Sequence, residues 1–327
     1  MTNLVTIYGG SGFVGRYIAQ EMAKQGWRVR VAVRRPNEAL FVKPYGVVGQ
    51  VEPVLCNIRD DDSVRAAMQG ADAVVNCVGT FDAGGKNSFE AIHVQGAERV
   101  ARLAAEGNVS RMVHISALGA DDSSESQYGS SKARSEAAVL EHMPNAMILR
   151  PSVIIGTEDR FFNRFALMTL MSPILPIVGA ETKFQPVSVD DVACAAAKGI
   201  TGEATGGVYE LGGPDVATFR SLMDVLRSVI QRRTMVVNVP FWVAGIIANI
   251  LGFAQAITVG LFNNSVLTSD QVRSLKDDAI VSNDAKTFAD LDIDPASMEV
   301  VLPTYLWRFR PSGQYAAIKN SAKNLRT

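Results

Sequence analysis

Leu4-Val5-Thr6-Ile7-Tyr8-Gly9-Gly10-Ser11-Gly12-Phe13-Val14-Gly15 is the stretch that decides the fold. Five strand-forming residues run straight into glycines at 9, 12 and 15, and Val14–Lys24 then takes on helical spacing. Each glycine of this G-x-x-G-x-x-G pattern has a separate physical task. Gly9 permits a tight turn, Gly12 lets a pyrophosphate approach the backbone, and Gly15 allows the helix to pack closely on the strand. The helix start adds free N–H groups and the positive end of its dipole. Gly9, Ser11, Gly12, Phe13, Val14 and Gly15 are therefore expected to hold a dinucleotide.

Working outward, short apolar runs at Arg28–Val33, Val51–Leu55, Ala73–Val78, Met112–Ser116 and Met147–Leu149 alternate with amphipathic stretches such as Ser63–Met68, Phe89–Glu106 and Ser131–Glu141. Buried strands separated by helix-length segments predict an α/β fold, a Rossmann-type doubly wound parallel sheet. After Pro151 the alternation weakens. Phe161–Met171 and Phe219–Gln231 read as helices, while Pro186–Lys198 runs from strand into helix and Val208–Leu211 is another short strand. The expected organisation is a dinucleotide domain over 1–155, rejoined by 186–215. A smaller, mainly helical second lobe takes 156–185 and 216–303, and a C-terminal arm takes 304–327.

Nucleotide choice is decided where the second strand ends. An acidic residue there would bind the ribose 2′-hydroxyl of NAD. The sequence has Arg34-Arg35 instead, and two guanidiniums match a 2′-phosphate by charge and by forked geometry, so NADP(H) is favoured over NAD(H). Further on, Tyr128 and Lys132 lie one helical turn apart, downstream of the strand-end Ser116. An ammonium beside a phenol lowers its pKa and makes it a usable general acid or base, while a serine can hold a substrate carbonyl. Lys132 can equally hydrogen-bond the nicotinamide ribose. The three residues are thus either catalytic or cofactor-holding only.

The 327 residues carry 32 basic and 33 acidic side chains, a net charge of -1 that argues against a nucleic-acid partner. Cys56, Cys77 and Cys194 are too few and too scattered for a disulfide framework or a zinc site. Mean hydropathy is +0.11, and part of that excess lies in Thr234–Ser269, which contains no charged residue. The stretch is long enough to span a bilayer. Asn238, Pro240, Gly245, Asn249 and other polar or helix-breaking residues interrupt it, so spanning is disfavoured. A helix lying against a membrane or apolar partner and a core helix of the second lobe both stay open. No acidic residue follows Glu299, where Arg308, Arg310, Lys319, Lys323 and Arg326 alternate with aromatics in an expected docking arm. Without those five, 27 basic residues face 33 acidic ones, so a body of -6 carries an arm of +5.

Together the glycine loop, Ser116, Tyr128 and Lys132 resemble the short-chain dehydrogenase/reductase superfamily, of its extended or atypical type, over roughly the first 215 residues. The resemblance implies that Asn57 and Ile58 border the adenine and that Val78 and Gly79 lie under the cofactor. It also implies that Pro151, Ser152 and Val153 cup the nicotinamide. Two positions depart from the family pattern: Asn57 stands where many members carry Asp, and Ile92-His93-Val94-Gln95-Gly96 replaces the usual N-V-x-G run. His93 therefore reads as a helix residue packed under the site. Gly156-Thr157-Glu158-Asp159-Arg160-Phe161-Phe162-Asn163-Arg164-Phe165-Ala166 is similar to a segment of one subfamily, the NADPH-binding accessory subunits of respiratory complex I (NADH:quinone oxidoreductase). That resemblance implies a tightly held, structural NADPH, other complex I subunits as partners, and a membrane or lipid contact through 234–269. The expected location is peripheral, on the cytoplasmic face of a bacterial inner membrane or on the matrix side in a mitochondrion. The alternative is a free NADP-dependent reductase or epimerase using Tyr128 and Lys132.

Overall fold

The computed structural model describes residues 2–80, 87–246 and 269–315. In chain order the strands begin with β1 (Leu4–Tyr8), β2 (Arg28–Val33), β3 (Val51–Leu55), β4 (Ala73–Asn76), β5 (Arg111–Ile115) and β6 (Met147–Pro151). Then come β7 (Ile154–Ile155), β8 (Ile174–Val178), β9 (Lys183–Phe184), β10 (Val187–Ser188), β11 (Gly207–Leu211), β12 (Ala217–Thr218) and β13 (Met235–Val239). The chain divides into two compact units. One comprises Met1–Ser152, Val189–Gly212 and Val281–Asp294; the other comprises Val153–Ser188, Gly213–Ile280 and Pro295–Thr327.

The first unit is built on a seven-stranded sheet of order β11-β6-β5-β4-β1-β2-β3, parallel at every pairing. Every residue of β1 is buried, as expected of a central strand covered on both faces. Pro53 sits in β3, at the sheet edge, where a missing N–H costs no ladder bond. Strand order reverses between β1 and β4, and in open α/β sheets the carboxyl end of that switch point is where ligands bind. Helices α1 (Phe13–Lys24), α2 (Asp61–Met68), α3 (Gln95–Glu106), α4 (Gln127–His142) and α6 (Val189–Thr201) belong to this unit, and α5 (Phe162–Met171) to the other. Ala97, Val100, Ala101 and Ala104 form the buried face of α3, small enough for close packing in one core with Val139 of α4 and Ile148 of β6. The predicted single helix over Phe89–Glu106 is in fact a π-helical turn, Glu90–Val94, running into α3.

The second unit packs α5, α7 (Phe219–Ile230) and the helix Met298–Leu306 around Phe162, Leu175, Phe219, Leu222, Leu226 and Leu302. Tyr305, Leu306 and Phe309 are buried in the same core, so the first part of the expected docking arm is structural. Its aromatics add apolar area to that core. Asp159 explains the hold. Its carboxylate accepts from the amides of Asn163 (3.0 Å) and Gly156 (3.4 Å) and from the Tyr305 hydroxyl. Arg308 donates to Asn163 Oδ1 (2.6 Å) and Thr157 O (2.9 Å), and Arg310 donates to Val229 O (2.7 Å). Lys319, Lys323 and Arg326 lie outside the described residues.

The uncharged stretch starts as strand rather than helix. Met235–Val239 forms β13, parallel to β8, with Met235 opposite Ile174 and both side chains exposed. Leu170, Met171 and Trp242 of the same unit are also exposed. Residues 247–268 of the stretch lie outside the described residues. No helix among the described residues is long and apolar enough to cross a membrane.

Candidate functional site

The glycine loop has the shape its spacing predicts. Gly9 lies at φ 75°, and a Cβ built there would come within 3.2 Å of the Cys77 carbonyl. At Gly15 a Cβ would fall 2.6 Å from Gly10 Cα and Gly9 O, both backbone atoms, so only glycine lets α1 approach this closely. Gly12 caps α1 with no side-chain bond and no acidic residue follows in the first turn, so the helix N-terminus stays suited to an anion. This cradle fits a dinucleotide pyrophosphate.

Arg16 is a residue the sequence reading missed. It donates to Gly12 O (3.2 Å) and Ser11 O (3.0 Å), and its guanidinium lies 4.6 Å from the Phe41 ring centre. Its signal was its place directly after Gly15. Arg34 and Arg35 are both exposed at the end of β2. Arg35 pairs with Glu38 at 3.0 Å, one turn on, whereas Arg34 has no partner among the described residues. The two arginines expected to act together are thus unequal. On the adjoining edge, Ile58 is buried, and the exposed Asn57 accepts from Arg59 N (3.2 Å).

On the other side of the switch point, Gly79 is exposed and Val78 half-buried. Val78 N donates to Asn76 Oδ1 (3.1 Å). That bond orients the Asn76 amide, whose Nδ2 then donates to His114 Nδ1 (3.2 Å), leaving His114 Nε2 to donate to Ser135 Oγ (3.1 Å). His93 is fixed in the same manner. Thr80 N donates to its Nε2 (3.0 Å), so the ring proton sits on Nδ1 and is donated to Ser131 Oγ (2.9 Å). Burial, with Lys132 adding repulsion, drives His93 down to about 3 and His114 well below the usual histidine range. Both rings are therefore neutral. Phe89, His93 and Tyr128 form an aromatic cluster with ring centres 5.2 to 6.1 Å apart.

Ser116, Tyr128 and Lys132 converge here, with hydrogen bonds that the spacing alone does not predict. Lys132 Nζ donates to Ile115 O (3.0 Å) and lies 5.9 Å from the Tyr128 ring centre. The phenol is pushed up by burial, not lowered by the ammonium. Ser116 Oγ donates to Glu136, so its proton is already committed in the absence of a ligand. Arg150 holds the same carboxylate at 2.7 Å and reaches Glu210 at 3.5 Å, while Glu210 Oε2 accepts from Ser282 N (2.8 Å). Glu136 lies one turn beyond Lys132, so the signal for this third member of the helix face was present at the next helical spacing. Pro151 and Ser152 are buried at the end of β6, Leu118 N donating to Pro151 O (3.0 Å). Val153 opens the second unit, where it accepts from Val187 N (3.0 Å). Among the described residues no cluster of three or more His, Cys, Asp or Glu could hold a metal ion.

A family model described as NAD(P)H-binding matches residues 9–154. The mitochondrial NADH dehydrogenase (ubiquinone) 1 alpha subcomplex subunit 9 of Arabidopsis thaliana is 37% identical over 316 residues, 95% of this chain and 79% of that protein. The chain belongs to this subunit's NAD(P)-binding, short-chain-dehydrogenase-like family. A further relative is the mitochondrial 40 kDa subunit of NADH-ubiquinone oxidoreductase in Neurospora crassa, 31% identical over 95% of the chain and 80% of its own length. The fold is also that of an NADPH-dependent quinone oxidoreductase of Escherichia coli, with TM-score 0.70 and 17% identity over 92% of the chain and 99% of that structure.

Proposed function

We propose that this protein is an NADP(H)-holding accessory subunit of a respiratory NADH:quinone oxidoreductase, in which the nucleotide is structural and not turned over. The observation that carries the reading is the 37% identity to the Arabidopsis subunit across nearly the whole chain. The site geometry supports the non-catalytic part. When bound, the dinucleotide brings a hydride-carrying nicotinamide, yet the side chains that would serve a substrate are committed elsewhere. Ser116 is tied to Glu136, the Tyr128 phenol is raised by burial, and both histidines are neutral donors in fixed bonds. The 2′-phosphate is assigned to Arg34, with Arg35 and Arg16 adding positive field, so NADPH is preferred over NADH. The exposed apolar residues around β8 and β13 suit a partner subunit or a membrane surface, which gives a peripheral location.

A gentle-detergent pull-down from membranes, with nucleotide extracted from the purified protein, tests this reading. Co-purification of other respiratory subunits with NADPH in the extract is expected. A soluble monomer that turns over NADPH would refute it in favour of the free reductase, the reading that Tyr128 and Lys132 on one helix face would then support.

A further inference from the structure

Lys132 is the only buried lysine among the described residues, and no carboxylate there lies within ion-pair reach of its ammonium. Among the described residues, the groups facing it are uncharged at neutral pH apart from Glu136. His93 on the π-helical turn and His114 on β5 are neutral, the Cys77 thiol after β4 is pushed up to about 12, and Tyr128 keeps its proton. Among the described residues Glu136 on its own helix is the one nearby anion, and Arg150 and Ser116 occupy that carboxylate. Lys132 itself is brought down to about 8 by burial, so it is still mostly charged near pH 7. An unpaired buried charge is costly, and removing water from around it strengthens its effect on any charge brought nearby.

The ammonium lies just behind the exposed backbone of Gly79, at the carboxyl end of β4. A Cβ added at Gly79 would lie 3.7 Å from Lys132 Nζ and 3.8 Å from His93 Nε2 with no closer neighbour, and the preceding Cys77–Val78 segment backs Gly9. With the pyrophosphate on the glycine loop and the adenosine end toward β2, the nicotinamide end falls on the β4–β5 side. An oxidised nicotinamide ring carries one more positive charge than a reduced one. We propose that Lys132 makes the site selective for redox state, so that it retains NADPH and repels NADP+. This rests on the nucleotide-holding part of the proposed function and not on the partner assignment.

Calorimetric titration of the nucleotide-depleted full chain with NADPH and with NADP+, separately and at neutral pH, tests the assignment. The wild type is expected to bind NADPH more tightly by about tenfold or more. Lys132→Met should bring the two dissociation constants to within about threefold of each other, and Lys132→Arg should restore the difference. Equal affinities in the wild type, or a difference kept in Lys132→Met, would overturn the proposal. Binding of neither form would overturn the nucleotide reading with it. A failed pull-down of respiratory subunits, by contrast, would leave this result standing.

Discussion

Acidification should destabilise the first unit through His93 and His114 before any carboxylate contributes. Both rings are 2% exposed or less and are held as neutral donors, with native pKa values of about 3 for His93 and well below the usual range for His114. The ordinary value of 6.5 applies once the chain unfolds. Between the two values the unfolded chain binds protons that the native chain cannot, so stability is full above 6.5 and is lost as pH falls. Each ring contributes a slope of about 1.4 kcal/mol per pH unit, or about 2 kcal/mol by pH 5 and about 4 kcal/mol for the pair. Asp61, Glu106 and Asp121 have carboxyls below their ordinary values, held down by hydrogen bonds to arginines or to Ser123, so they titrate only at lower pH. Lys132, native about 8 against 10.5, acts only at alkaline pH. Asp159 is raised by burial and has the opposite sign, but it belongs to the other unit. Trp27 is buried in the first unit, so urea unfolding of nucleotide-depleted protein can be followed there with Trp242→Phe and Trp307→Phe as background. From about pH 7.5 to about pH 5 this protein should lose about 4 kcal/mol, and His93→Gln with His114→Gln should remove most of that dependence. A loss below about 1 kcal/mol, or an equal loss in the double variant, would refute the neutral-histidine assignment.

Gly15→Ala places a methyl 2.6 Å from backbone atoms of the loop, so the purified variant should carry at least about tenfold less nucleotide, measured in a heat extract. Arg34→Ala should reduce the preference for NADPH over NADH by about tenfold in equilibrium titration, while Arg35→Ala, which already pairs with Glu38, should do less. Tyr128→Phe should leave nucleotide retention and assembly with other subunits intact, read by the same extract and pull-down. Tyr305→Phe removes the hydroxyl that Asp159 accepts from and should cost about 1–2 kcal/mol in the second unit, with faster tryptic cleavage at Arg308 as the local readout.

Local chemistry made the glycine loop and the parallel sheet legible. A strand rich in β-branched residues, three glycines at fixed spacing and a helix start each dictate backbone geometry without help from distant residues. Long-range contacts defeated the reading elsewhere. Nothing in Tyr305-Leu306-Trp307-Arg308-Phe309-Arg310 tells that Asp159 will accept from Tyr305 or that Phe309 will be buried, so an arm was expected where core was built. Thr234–Ser269 was read for helices because it lacks charge, yet Met235–Val239 is stabilised as a strand by pairing with Ile174–Val178. Val281–Asp294 rejoins the first unit through Ser282 N on Glu210, Lys286 O on Glu210 N and Leu291 O on Lys198, and none of these partners has a sequence signature.

The catalytic reading of Ser116, Tyr128 and Lys132 shows why spacing predicts position better than protonation. Helical periodicity puts Tyr128, Lys132 and Glu136 on one face at successive turns, and all three are found there. What each does depends on where its proton can go. The Glu136 carboxylate accepts from the Ser116 hydroxyl and from Arg150, which also reaches Glu210, while one Lys132 donor goes to Ile115 O. Spacing therefore places these side chains correctly, while their ligand-free hydrogen bonds, which depend on Glu136, Arg150 and Ile115, follow only from the three-dimensional contacts.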